Sequence, residues 1–145
     1  MDHSFVAAYE TIARPLCCLG RLAEAEAFAR DGVARSGRWS LLLAALGYVL
    51  GAAGKRAEAE TILAELEVQS RSRYVPRYHF AAVYYGTRDA EGALRELAAG
   101  VAERTGVALW LGVEPNASWL WPDPRFQEIV RPLGLVHELM LEGAR

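Results

Sequence analysis

Apolar residues recur at the three-and-four spacing of a helix in residues 41–53 (LLLAALGYVLGAA) and again in 57–68, with a polar break at Gly54-Lys55-Arg56 between them. Side chains three and four apart share one helix face, so the pattern predicts two helices joined by a tight turn. Gly47 and Ala59 are small enough to let the two backbones approach, and Leu46, Leu50 and Leu63 are large enough to fill the seam. Ser4 is expected to cap a first helix that runs from Phe5 onward. Pro15 falls inside that helix, where a proline costs about 3 kcal/mol, so a kink or early end is expected, with Thr11 losing its acceptor role. Pro76 is expected two residues into the fifth helix, in a first turn that has no use for its missing N–H. Asp123-Pro124 reads as N-cap and first residue of a late helix with Phe126, Ile129 and Val130 on one face, closed by Pro132 and Gly134.

The same pattern returns along the chain. Residues 20–28 (GRLAEAEAF) and 54–62 (GKRAEAETI) match column by column 34 residues apart, and a further step reaches Arg88-Asp89-Ala90-Glu91-Gly92-Ala93. Ala25, Ala59 and Ala93 fall in register, as do Ile12, Leu46 and Phe80, then Ala13, Gly47 and Ala81, then Leu16, Leu50 and Tyr84. Each column keeps one size class. A single helical hairpin cannot bury its own faces, but three stacked hairpins share a continuous core.

On these residues the chain resembles the tetratricopeptide repeat (TPR) family, whose unit is a 34-residue helix-turn-helix. Leu46, Gly47 and Leu50 match the family's signature in the first helix of the unit. Gly20 and Gly54 match its turn glycine, and Ala25, Ala59 and Ala93 the small residue of its second helix. Leu63 and Leu97 match the large residue four positions on, which Ala29 weakens. Residues 40–73 fit best. Residues 6–39 and 74–107 are looser, with Arg88 in place of the glycine. The resemblance implies an all-α fold: a right-handed superhelical α-solenoid of about three TPR helix hairpins in a single domain, 1–145, with a helical C-terminal cap over 108–145. That last stretch holds Trp110, Trp119 and Trp121, three of the four tryptophans. Its Asp-Pro-Arg-Phe and later Gly-Leu resemble the tail that seals TPR arrays in bacterial regulatory proteins, and the tryptophans read as capping core.

Composition narrows the function. The chain of 145 residues is 52% apolar and 23% charged with a net charge of −2, which excludes a disordered polyampholyte and gives no global positive field for nucleic acid or an anionic membrane. Lys55 is its only lysine, an arginine bias associated with GC-rich bacterial genomes. The run 41–53 is too short to cross a bilayer, which takes about 20 residues. The N-terminus has no basic n-region, so a cytoplasmic protein is expected. Cys17-Cys18 forms neither a disulfide framework nor a CxxC motif; small residues buried at a helix seam are expected, with an oxidant-sensitive pair as the alternative. His3, His79 and His137 lack metal-ligand spacing, and no phosphate loop or nucleophile elbow occurs, so no metal, cofactor or catalytic residue is expected. Glu24, Glu26, Glu58 and Glu60 read as solvated faces of second helices. Arg71-Ser-Arg73-Tyr74-Val-Pro-Arg77-Tyr78 interleaves guanidinium groups with rings, as single-stranded nucleic acid readers do, but the negative total charge and its place at a repeat junction argue for packing.

The expected function is therefore to hold another protein or peptide. By resemblance, the first helix of each unit lines the concave face with Ala7, Glu10, Arg14, Cys17 and Cys18, then Leu41, Ala44, Tyr48, Gly51 and Ala52, then Val75, Tyr78, Ala82, Tyr85 and Gly86. Glu10, Arg14, Leu41, Ala44, Tyr48, Val75, Tyr78 and Tyr85 are the expected partner-binding groove. Its apolar, aromatic make-up suits an amphipathic helix seated on Tyr48, Tyr78 and Tyr85. Two other classes stand beside it. One is a homo-oligomerisation module, because the repeats start directly after Met1 and the outer face of the first helix, with Phe5 and Tyr9, is expected to need a second copy. The other is a small-molecule sensor using the tryptophan-rich tail.

Overall fold

A computed structural model describes residues 3–103 and 115–134. Six helices come first: α1 (His3–Cys18), α2 (Leu22–Arg35), α3 (Ser40–Ala52), α4 (Arg56–Ser70), α5 (Arg77–Thr87) and α6 (Ala90–Ala102). A 3₁₀ turn (Pro115–Leu120), α7 (Pro124–Val130) and a second 3₁₀ turn (Arg131–Leu133) follow. The fold is all-helical, with no strand among the described residues. None of the described helices is long and apolar enough to cross a membrane.

The helices pair in chain order, α1 with α2, α3 with α4, α5 with α6. α3 also packs against α1 on one side and α5 on the other, while α2 leans on α3 and α4 on α5. We call α1, α3 and α5 the inner helices and α2, α4 and α6 the outer ones. Ala25, Ala59 and Ala93 are fully buried where each outer helix meets its inner partner. Gly47 takes a second neighbour besides α4: a Cβ there would lie 2.6 Å from Val83 of α5 and 3.1 Å from Ile62 of α4. The central helix is thus thinned at one residue for both partners.

The turn inside each hairpin repeats atom for atom. The N–H of Arg21 reaches the carbonyl of Leu16 (2.9 Å), that of Lys55 the carbonyl of Leu50 (2.8 Å), and that of Asp89 the carbonyl of Tyr84 (3.1 Å). These six-residue closures need a left-handed residue just past the helix end. Gly20 (φ 73°) and Gly54 (φ 76°) supply it, and Arg88 adopts it at φ 57° without being glycine. The geometry outlasts the residue that favours it.

Several expectations need correcting. α1 begins at His3, so Ser4 lies within its first turn instead of capping it. The helix does not end early at Pro15 but runs on to Cys18, with the ring on an exposed face and the Leu19 N–H bonded to the Pro15 carbonyl at 3.0 Å. Pro76 is the N-cap of α5 and not its second residue: φ −56° and ψ 138° make it extended, and helix starts at Arg77. A proline also drives the residue before it away from helix, which explains the delay relative to the 34-residue period. Ile12 is exposed although its column mates Leu46 and Phe80 are buried. Cys17 is half-buried, but Cys18 is exposed and occupies no seam.

The helix start expected at Asp123-Pro124 is observed. Asp123 accepts a hydrogen bond from the Arg125 N–H, Pro124 follows at the first helical position, and Gly134 (φ 67°) stands just past the closing 3₁₀ turn. Phe126, Val130, Ala117 and Leu120 are buried, with Trp119, Trp121 and Ile129 packed against them. α7 lies on α6 and the first 3₁₀ turn on α5, so the third hairpin has a cover.

Candidate functional site

The inner helices bring side chains from all three hairpins to one cluster. Arg14 of α1 donates from Nη1 to the Tyr78 hydroxyl of α5 at 2.7 Å, reaching across α3. Its guanidinium also stands 5.5 Å from the Tyr78 ring centre and 6.0 Å from that of Tyr48 on α3. Tyr85, two turns along α5, meets Tyr78 edge to face at 6.4 Å. A guanidinium over a phenol face is attracted by the ring quadrupole, an effect that grows when water is excluded.

Water is largely excluded here. Arg14, Tyr48 and Tyr85 are only 8%, 9% and 2% exposed, and Ala44 and Val75 are buried as well. Tyr78 and Leu41 are half-buried and provide what surface the cluster keeps. Gly51 and Gly86 do not serve as groove floor. They are the points where α3 and α5 touch: a Cβ on Gly51 would lie 2.5 Å from the Thr87 nitrogen, and one on Gly86 would overlap the Tyr48 carbonyl. This close approach draws the inner helices together under the tyrosines. Glu10 lies on α1, but its side chain falls outside the described residues.

His79 joins the cluster and was not among the expected site residues. It is buried, its Nδ1 has no hydrogen-bond partner, and burial followed by the Arg14 charge pushes its pKa down to about 4. Both effects disfavour a second positive charge, so the ring is neutral at pH 7. A signal for it existed. Its repeat column, Thr11 and Ala45, holds small residues, and a ring in the third copy is the departure.

The other expectations divide. Tyr9 does not face outward: it is buried, stacks on Phe28 of α2 at 4.4 Å, donates from its hydroxyl to Asp31, and fills the space left by Gly32. Phe5 lies outside the described side chains. The basic, aromatic stretch splits in two. Val75 and Tyr78 turn inward, Arg77 pairs with Glu96 and Glu103 (3.5 Å each), and Arg71, Arg73 and Tyr74 stay exposed. The Cys17 thiol is pushed up to about 11 by burial and by Cys18, which works against a reactive thiolate at neutral pH. In the tail, Arg88 stands 5.4 Å from the Trp119 ring; Trp110 lies outside the described residues. No group of three or more His, Cys, Asp or Glu side chains able to hold a metal occurs among the described residues. The outer helices carry the repeated glutamates in ion pairs that cross between hairpins, Arg30 to Glu58 (2.5 Å) and Lys55 to Glu26 (2.9 Å). No family model, curated protein or solved structure matches the chain.

Proposed function

We propose that the chain is a TPR-like right-handed α-solenoid of three helix hairpins with a helical C-terminal cap, and that it is a non-catalytic module holding a peptide or amphipathic helix of a partner protein. The recurring turn hydrogen bonds and the buried alanine column support the solenoid reading, since both follow the 34-residue period. The observation that carries the functional reading is the meeting of Arg14, Tyr48 and Tyr78 on the inner face. Taking a guanidinium out of water costs several kcal/mol before its partners compensate, and apolar side chains would fill a purely structural seam with less penalty. The alanine column of the outer helices is filled in that way.

In this reading Tyr48 and Tyr85 form a rigid floor, and the partner contacts the exposed edges of Tyr78 and Leu41. An amphipathic helix meets such a face with anchors three and four residues apart. A photo-reactive phenylalanine analogue placed at Leu41 or Tyr78, and as a control at exposed Ala64 on α4, tests it in the native cell. Adducts to a second protein from the two inner positions and not from Ala64 are expected. Adducts from Ala64 alone, or inner-face adducts only to further copies of this chain, overturn the reading.

A further inference from the structure

A second surface lies at the end of the molecule where outer helices turn into the next inner helix. Two successive turns of this kind, residues 36–39 and 71–76, are tied together by Gln69. Its Nε2 donates to the Arg38 carbonyl at 3.0 Å, its backbone carbonyl accepts from the Arg73 N–H at 3.0 Å, and its side-chain oxygen accepts from the Arg73 guanidinium. Trp39, Val68 and Tyr74 each sit one residue from a member of this hub, and they are 38%, 61% and 66% exposed. Three exposed large apolar side chains, each next in sequence to a member of one hydrogen-bonded hub, make this end of the molecule a candidate interaction surface.

The charge around them is unbalanced. Arg38, in the first of these turns, already holds Glu65 of α4 through two hydrogen bonds of 2.5 and 2.6 Å, and elsewhere Arg30 and Arg125 hold carboxylates of a neighbouring helix. Arg71 and Arg73 are exposed and have no carboxylate within ion-pair distance among the described residues; Glu67, one turn before Arg71, makes none with it. Glu103, the acidic group beside Tyr74, is already paired with Arg77 at 3.5 Å. Arg73 is held in place by a neutral amide oxygen, so it is oriented while its charge remains uncompensated. A carboxylate binds a guanidinium more strongly than an amide does and can do so through two parallel hydrogen bonds.

We propose that Arg71 and Arg73, with Trp39, Val68 and Tyr74, form a binding surface for an acidic peptide segment in which two carboxylates flank an apolar or aromatic side chain. It is separate from the inner face and does not rest on the function proposed for that face. Two guanidinium groups match two carboxylates but make a poor track for a nucleic-acid backbone, whose affinity comes from many phosphate contacts. Trp39 and Tyr74 present ring faces suited to stacking as well as to apolar side chains, so the choice of a peptide rests on the small number of guanidinium groups.

The full chain is panned against a displayed random dodecapeptide library, and an enriched peptide carrying a fluorescent label is titrated by anisotropy. Enrichment of Asp or Glu next to Leu, Phe or Trp is expected, with at least a tenfold loss of affinity in the Arg71→Glu, Arg73→Glu double variant. The same peptide with Asn and Gln in place of its acids is expected to lose as much, and Tyr74→Ala to lose less. All three positions are exposed, and an unchanged thermal melt verifies that each variant folds. No acidic enrichment, equal binding of the amide peptide, affinity that survives charge reversal, or tighter binding of a labelled oligothymidylate of twelve nucleotides each overturns the proposal.

Discussion

Within one hairpin, α3 and α4 are built on opposite terms. α3 has no charged residue and buries ten of its thirteen residues; α4 buries three of fifteen, Ala59, Ile62 and Leu66. α3 touches α1, α4 and α5, so nearly every position meets another helix, whereas α4 needs only a narrow apolar stripe. The inner layer is held by shape, with glycines placed where backbones meet. The outer layer is held by a column of alanines and decorated by ion pairs in water. The two layers therefore differ in what a substitution does to them.

The sharpest break of that contrast uses glycine. In Gly86→Ala the new methyl group overlaps the Tyr48 carbonyl, which is backbone and cannot rotate away, so α3 and α5 must separate. A loss of about 3 kcal/mol is expected, at the upper end for overpacking. Gly54→Ala meets nothing within 4 Å and suffers only from its positive φ, a penalty of about 1 kcal/mol. Urea unfolding of both variants checks the ordering. Equal losses would mean that the inner seam is no tighter than a surface turn.

The second break uses pH. His79 titrates at its ordinary value near 6.5 when the chain is unfolded but near 4 when folded. The unfolded state thus binds the extra proton between those values. The contribution is fully present above pH 6.5 and is lost as pH falls toward 4, by roughly 2 kcal/mol at pH 5. Denaturant midpoints at pH 7 and pH 5 measure it, and His79→Gln is expected to flatten the difference. In the outer layer the ion-paired carboxylates Glu26 and Asp31 are shifted downward, Glu26 by its bonds to Lys55 and Arg30 and Asp31 by its bonds to Tyr9 and Arg35, so both titrate below the ordinary carboxylate range.

What could be read in advance follows the same division. The outer column Ala25, Ala59 and Ala93, the turn glycines and the Asp123-Pro124 helix start were legible because each depends on local chemistry or on a period. The inner cluster was only half legible. Arg14, Tyr48, Tyr78 and Tyr85 could be assigned to one face, but their burial depends on how closely α3 and α5 approach at Gly51 and Gly86, a tertiary fact with no local signature. Tyr9 was misplaced for a related reason. Its partner is the absent side chain of Gly32, 23 positions on, which no helical spacing reveals.

Arg88 tests the turn that joins the layers. Its left-handed backbone favours glycine, while its side chain covers Trp119 of the cap. Arg88→Ala keeps the strained φ and loses the ring contact; Arg88→Gly loses the contact but relieves the φ. The glycine variant is expected to be the more stable of the two by about 1 kcal/mol, although alanine is the better residue almost everywhere else. Thermal melts of the pair decide it, and the reverse order would show that the turn opens without the arginine.

The weakest expected effect lies in the outer ladder, where the geometry looks strongest. Arg30 binds Glu26 and Glu58, and Glu26 also binds Lys55, so four charges join two hairpins at distances of 2.5 to 2.9 Å. Arg30 and Glu58 are both about half exposed, however, and water screens such pairs while the long side chains lose rotational freedom to form them. Arg30→Ala is expected to cost no more than about 0.5 kcal/mol, and the cost is expected to vanish in 1 M salt, where the screening length is about 3 Å. Unfolding midpoints at low and high salt measure both. A loss that persists in high salt would mean that the Arg30 side chain contributes by packing and not by its charge, and the description of the ion pairs as decoration on a layer held by its alanine column would then have to be redrawn.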